Sequence, residues 1–178
     1  MAADMYQPLY LTKAPRRFRF IIIHDTNCQW QKNNLYKVDN NLFQTGPMRA
    51  RFKLEKRWWE SPYHFICEKI GENFQTIVGK PLQYSSENEF PDLDNTYSRF
   101  GIHVCVMGNY NIMAHKPKMY EQMCYRVIAP MLRQYRIPKS NIFLHGELSK
   151  EHMDCPGLGF SKQALLAYLA RFLMGVAR

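Results

Sequence analysis

The sequence contains no apolar run of the roughly 20 residues that a helix needs to cross a bilayer. Its first residues, MAADMYQPLYLTKAPRR, do not place a basic segment before an apolar one, so we expect no secretory signal. We therefore expect the chain to fold in the cytoplasm of the cell that makes it. Any later action outside that cell would need another route, such as lysis or packaging in a particle.

The cysteine content argues against a disulfide framework. The chain has five cysteines, which is an odd number, and we expect a reducing compartment. Cys67, Cys105 and Cys124 lie in apolar segments and are interpreted as core residues. Cys28 and Cys155 lie near histidines, which makes them candidates for metal ligands.

Acidic residues are few compared with basic ones. The chain has 15 Asp and Glu against 24 Lys and Arg, which gives a formal net charge of +9. This surplus favours an anionic partner, such as nucleic acid, anionic lipid or an acidic cell-wall polymer, without choosing among them. The segments RRFRF and RARFKLEKRWW mix basic and aromatic residues, but no recognisable nucleic-acid-binding module accompanies them. We therefore predict no specific nucleic-acid partner.

Short β-rich segments alternate with helical ones, and this order predicts an α/β fold with a mixed central sheet covered by helices. The length of 178 residues suits one globular domain, which we place at 18–178 after a basic N-terminal arm at 1–17. Five segments are predicted to be strands: 18–25, 63–69, 73–78, 100–108 and 141–146.

Helices are predicted at three places in the chain. One begins after Pro47, one covers 117–135 with a bend or break at Pro130, and the last begins after an N-cap at Ser161. Residues 79–98 are rich in Pro, Ser, Asn and Asp, so we predict a long surface loop there.

Three residues at predicted strand ends and in a turn could form a metal site. His24 ends the first predicted strand, His145 ends the last, and Cys155 follows in the turn DCPG. Zinc prefers imidazole and thiolate ligands, and its catalytic sites use three protein ligands plus water. Each residue alone is more simply interpreted as structural, but the joint pattern is more specific. Cys28, four residues after His24, is an alternative thiolate ligand.

Five short motifs together show a family resemblance. They are H-D-T at 24–26, Y-H-F at 63–65, F-G-I-H-V at 100–104, H-G-E at 145–147 and D-C-P-G at 154–157. In this order they resemble the zinc-dependent N-acetylmuramoyl-L-alanine amidases, which share their fold with the peptidoglycan recognition proteins. The resemblance covers roughly residues 18–175. It implies a mixed sheet flanked by helices, and one Zn²⁺ held by His24, His145 and Cys155.

The resemblance also implies an activity and further roles. The activity is cleavage of the amide bond between N-acetylmuramic acid and L-alanine in bacterial peptidoglycan. Tyr63, from the Y-H-F motif, is expected to donate a hydrogen bond to the developing oxyanion. The lysine that many relatives have two residues before the third ligand is Met153 here, so we expect Lys150 or His152 to supply positive charge. The glutamate that is frequent in the family is His103, which removes a carboxylate base.

Two functions fit this pattern. The first is an active amidase, a phage lysis or virion-associated enzyme that acts at the bacterial cell wall after lysis or from a virion. The alternative is a weakly active or inactive zinc-binding domain with a structural or peptidoglycan-binding role, for example beside other proteins of a phage particle. The fourth coordination position separates them, because a water there favours the enzyme and a fourth protein ligand, with His152 the best candidate, favours the alternative.

Overall fold

The structure is a computed structural model that describes residues 17–26, 62–70, 73–87, 89–112, 114 and 116–175. Several sequence-based predictions lie outside these residues: most of the basic arm at 1–17, the helix after Pro47, and the alternative ligand Cys28. They stay predictions.

Five strands form one mixed sheet in the described part of the chain, and the predicted α/β class is confirmed. The strands are β1 Phe20–Asp25, β2 Phe65–Ile70, β3 Asn73–Val78, β4 Gly101–Val106 and β5 Ile142–Leu144. Their order across the sheet is β3-β2-β4-β1-β5. The β2–β3 pair is antiparallel and the other neighbours are parallel. Every predicted strand is present, with ends that differ by at most two residues.

The burial of the two central strands explains why their apolar sequences predicted them. All six residues of β1 and all six of β4 are buried. Parallel strands covered on both faces form near-continuous apolar runs, and FIII and GIHVCV are runs of that kind. The histidines at the ends and within these strands are therefore buried with the apolar residues.

Within the described residues, four α-helices pack against the sheet: α1 Asn95–Phe100, α2 Pro117–Met123, α3 Ala129–Tyr135 and α4 Lys162–Gly175. The predicted N-cap of α4 is confirmed, because the backbone N–H of Ala164 donates to Ser161 Oγ at 3.1 Å. None of the helices in the described ranges has the length and apolar character needed to span a membrane.

The helical segment 117–135 differs from the prediction in where it is irregular. Pro130 does not break the helix, and α2 instead continues into α3 through a π-helical turn at Cys124–Ile128. The backbone N–H of Ala129 donates to the carbonyl of Cys124, five residues earlier. A wider turn at this point accommodates the proline ring, which has no N–H and would crowd the preceding turn.

The sheet has an apolar cluster on each face. The first cluster, between the sheet and helices α2, α3 and α4, includes Ile21, Ile23, Val104, Val127 and Leu165. The second cluster lies on the opposite face and includes Phe20, Ile22, Tyr63, Phe90, Leu93 and Cys105. Because Tyr97 and Phe100 of α1 pack against the second cluster, helices lie on both sides of the sheet.

The prediction of a surface loop at 79–98 is wrong in part. Its last residues belong to α1, which Asp94 caps by accepting a hydrogen bond from the N–H of Thr96 at 2.8 Å. The rest is irregular but covers the second cluster, because Phe90 and Leu93 are 2% and 6% exposed. The polar composition predicted the irregular path correctly but not the burial, which also includes the polar residues Lys80, Ser85 and Ser86.

Candidate metal centre

The register of the parallel strands places two histidines side by side. Ile23 of β1 pairs with Leu144 of β5, and each of these two residues is followed by a histidine. His24 and His145 are therefore neighbours. Their ring centroids are 4.5 Å apart with an interplanar angle of 40°. Both side chains are buried, with 1% and 3% exposure. His145 itself is not in β5, as the predicted strand 141–146 implied, but begins a single 3₁₀ turn.

Gly146 brings the third candidate ligand to this pair. Its backbone N–H donates to the carbonyl of Cys155 at 2.8 Å. A Cβ at this position would lie 2.2 Å from the carbonyl oxygen of Met153, which is far inside van der Waals contact. Only glycine permits such a close approach of the two backbone segments, and the approach sets Cys155 beside His145.

The three side chains form a cluster that fits a metal ion. One ligand atom each from His24, His145 and Cys155 lies within 4.8 Å of the other two, and all three residues are buried. Zinc bonds of 2.0–2.3 Å in a tetrahedron place ligand atoms roughly 3.3–3.8 Å apart, so a small closure would suffice. Among the described residues, no other group of His, Cys, Asp and Glu side chains meets this condition.

His24 has a buried partner on β4. Its Nε2 lies 2.9 Å from Nδ1 of His103, and Nε2 of His103 lies 3.3 Å from the carbonyl oxygen of Ser98. Burial lowers the pKa of both histidines well below the usual value, and neighbouring histidines lower it further. Both rings are therefore neutral at pH 7, which is the form that a metal ligand needs.

His145 has a different partner, which sequence reasoning missed. Its Nε2 lies 2.7 Å from Oδ2 of Asp92, a residue of the covering loop. Burial raises the pKa of Asp92, but the contacts with His145 and Ser149 outweigh this effect and hold the pKa at about 2. Asp92 is therefore ionised, and its carboxylate lies at ion-pair distance from His145, as carboxylates commonly do beside metal-binding histidines. The only signal in the sequence was the length of the loop that carries it.

Comparison with protein-family models shows the family to which a chain with this geometry belongs. Residues 14–158 match the model of the N-acetylmuramoyl-L-alanine amidase family. The match covers most of the chain. The chain belongs to the N-acetylmuramoyl-L-alanine amidase family. No individual curated protein sequence gave a match.

Solved structures show that the fold of this amidase-family chain is shared. The N-acetylmuramoyl-L-alanine amidase LysC from Clostridium intestinale URNW is 18% identical, with a TM-score of 0.62 over 92% of this chain and 94% of that one. Bumblebee PGRP-SA is 12% identical, with a TM-score of 0.59 over 88% and 86% of the two chains. The Ph2119 endolysin from Thermus scotoductus MAT2119 bacteriophage Ph2119 is 11% identical, with a TM-score of 0.51 over 94% and 91%. At these identities the likeness concerns the fold alone.

The residues predicted to assist an amidase reaction differ in their burial and in their distance from the cluster. Tyr63 is buried with its ring centroid 5.2 Å from that of His24. The ring of His152 is 5.6 Å from that of His145, and this residue is half-buried at the edge of the cluster. Lys150 is exposed, and no described hydrogen bond or ion pair joins it to the cluster. Met153, in the place of the lysine of many relatives, is 77% exposed.

The contact of Gly146 with Met153 leads to a prediction. Gly146→Ala should lower the free energy of unfolding by about 1–3 kcal/mol, because the added methyl group overpacks a backbone contact that cannot yield cheaply. Gly175→Ala is the matched control, since a Cβ there meets no atom within 4 Å, and it should change stability by no more than about 1 kcal/mol. Urea unfolding of both variants in the presence of a chelator gives the comparison. Equal stability of the two variants would contradict the close approach.

Proposed function

We propose that this chain is a zinc-dependent hydrolase that cleaves the amide bond between N-acetylmuramic acid and L-alanine in bacterial peptidoglycan. The observation that carries the proposal is the buried cluster of His24, His145 and Cys155 in a chain of the amidase family. Two imidazoles and one thiolate are a ligand set that suits zinc better than magnesium or calcium.

The number of ligands supports an enzyme over a structural zinc domain. Structural zinc sites are closed by four protein ligands, whereas catalytic sites keep one position open. Within the described residues the cluster has three members, and His152 is not one of them. This favours an open fourth position and argues against the alternative in which His152 closes the site.

The residues around the cluster fit acyl transfer to water. A zinc ion bound by the cluster would polarise the scissile carbonyl and lower the pKa of a water molecule. The ring centroid of Tyr63 lies 5.2 Å from that of His24, and this proximity supports a role for its phenol O–H as a donor to the oxyanion that would develop on that carbonyl. His152, at the edge of the cluster, is better placed than Lys150 to supply positive charge near the same oxygen.

The setting that we propose is phage lysis, with the enzyme either free or carried in a virion beside phage structural proteins. The net charge of +9 favours adsorption to an anionic cell wall. Structurally similar proteins include the Ph2119 endolysin of a bacteriophage. In this setting the enzyme would act on the cell wall after lysis begins or from the particle.

The first prediction under this proposal concerns the zinc ligands. Protein purified without chelator should contain about one zinc per chain, because catalytic zinc is held by three protein ligands of this kind. His145→Ala and Cys155→Ser should each lower zinc content and melting temperature, since binding energy at such a site is also folding energy. Cys28→Ser is the control and should keep both. Zinc loss in Cys28→Ser with retention in Cys155→Ser would assign the thiolate to Cys28.

The second prediction concerns Tyr63. Tyr63→Phe should keep zinc and fold but lose about 10²–10³ in turnover, the usual cost of one oxyanion donor. Tyr97→Phe is the control, because Tyr97 packs in the same apolar cluster through its ring, 4.9 Å from that of Phe20. Turnover on purified cell wall is measured for both. Equal turnover in the two variants would mean that Tyr63 only packs.

The third prediction is the reaction itself. Digestion of peptidoglycan should release new amino groups on L-alanine and no new reducing sugar ends, because the glycan strand stays intact. Chelation should abolish the release and added zinc should restore it. His152→Ala should slow turnover with zinc still bound, and more than Lys150→Ala does. Reducing ends without alanine amines would identify a glycosidase, and neither product from zinc-loaded protein would favour the structural alternative.

A further inference from the structure

We infer that His103 is a positioning residue, which fixes the tautomer and the ring orientation of the metal ligand His24. The inference rests on the proposed metal centre, since it assigns a role toward the ion that His24 would bind. His103 occupies the position where the family frequently has a glutamate, and the structure gives it contacts that a catalytic base would not have.

The first step is the proton on His103. The carbonyl oxygen of Ser98 can only accept a hydrogen bond, and it lies 3.3 Å from His103 Nε2. That nitrogen must therefore carry the proton. In a neutral imidazole the other nitrogen then has a lone pair, so Nδ1 of His103 is an acceptor.

The second step carries this constraint to His24. Nε2 of His24 lies 2.9 Å from the acceptor Nδ1 of His103, so Nε2 must donate its proton in this contact. The lone pair of His24 then resides on Nδ1, which is the nitrogen left for a metal. The carbonyl of Ser98 thus selects, through His103, the tautomer of His24 that presents Nδ1 to an ion.

His103 is held both through its backbone and through its ring. Its backbone N–H donates to Nδ1 of His64 at 3.1 Å, and Nε2 of His64 donates to the carbonyl of Tyr84 at 2.9 Å. Phe90 stacks on the His103 ring with centroids 4.3 Å apart and planes 12° apart. A ring fixed in this way can transmit a fixed orientation to His24.

These contacts also argue against a role of His103 as a general base. The side chain is fully buried, and both ring nitrogens are occupied by protein partners. A general base needs a free nitrogen within reach of the proton that it abstracts. His103 therefore acts on the reaction through His24 and not on a water or a substrate.

The experiment compares zinc affinity among three variants by competition with a chromogenic chelator. His103→Phe keeps a ring that can stack on Phe90 but removes the acceptor, and it should weaken zinc binding by about 10–100-fold, the usual effect of losing such a partner. His103→Asn offers an amide oxygen as acceptor and should recover most of the affinity. Tyr97→Leu is the control, because it removes a ring that packs against the same apolar cluster but contacts the rings of Phe20 and Phe143 instead of those of His24 and His103.

A second measurement does not depend on how the variants fold. Histidines of the unsubstituted protein are labelled with ¹⁵N, and the zinc-loaded sample is examined by NMR. We expect His24 to be protonated at Nε2, with a through-hydrogen-bond coupling between this nitrogen and Nδ1 of His103. A purely packing role of His103 would produce no such coupling.

The outcomes separate this inference from the proposed function. Failure of the unsubstituted protein to bind zinc would overturn the metal centre and the role of His103 with it. Zinc binding in the unsubstituted protein, with equal affinity in His103→Phe, would overturn the role of His103 alone. An equal loss in Tyr97→Leu and His103→Phe, or the absence of the nitrogen–nitrogen coupling, would also overturn it.

Discussion

The parallel register of β1 with β5 is the constraint on which the candidate site depends. Pairing of Ile23 with Leu144 makes His24 and His145 neighbours, and both are directed by the strands that precede them. Because side chains alternate along a strand, a shift of one residue would turn His24 toward the opposite face of the sheet. The apolar residues of β1 strongly oppose such a shift, since Ile21 and Ile23 fill one cluster and Ile22 fills the other. The packing of the core therefore also positions the two candidate ligands.

Burying several imidazoles beside each other is costly unless each polar atom has a partner. The structure provides partners of two kinds. His145 lies against the ionised carboxylate of Asp92, and His24 lies against the neutral ring of His103. The covering loop contributes Asp92 and also Phe90, which stacks on His24 with ring centroids 4.6 Å apart. A single loop thus shields the cluster and places a carboxylate beside one of the candidate ligands.

The fold alone does not determine what the site does. The solved structures similar to this chain include both amidases and peptidoglycan recognition proteins. The same architecture therefore occurs both in proteins named as enzymes and in proteins named for recognition. Function must be argued from the residues of the site. Here the argument rests on two imidazoles, a thiolate, and a tyrosine packed beside them, with His103 in the place of a carboxylate.

Local patterns in the sequence predicted the α/β class, the five strands, the N-cap at Ser161 and the set of His24, His145 and Cys155, because apolar runs and short motifs are local properties. They also predicted the loop at 79–98, but not its burial. The contacts of Asp92 with His145 and of His103 with His24 depend instead on how distant segments pack in three dimensions. Those contacts join residues 53 and 79 positions apart, and no local pattern encodes the register and loop path that bring them together. The π-helical turn before Pro130 is a similar case, since a proline predicts an irregularity but the packing around it determines the form.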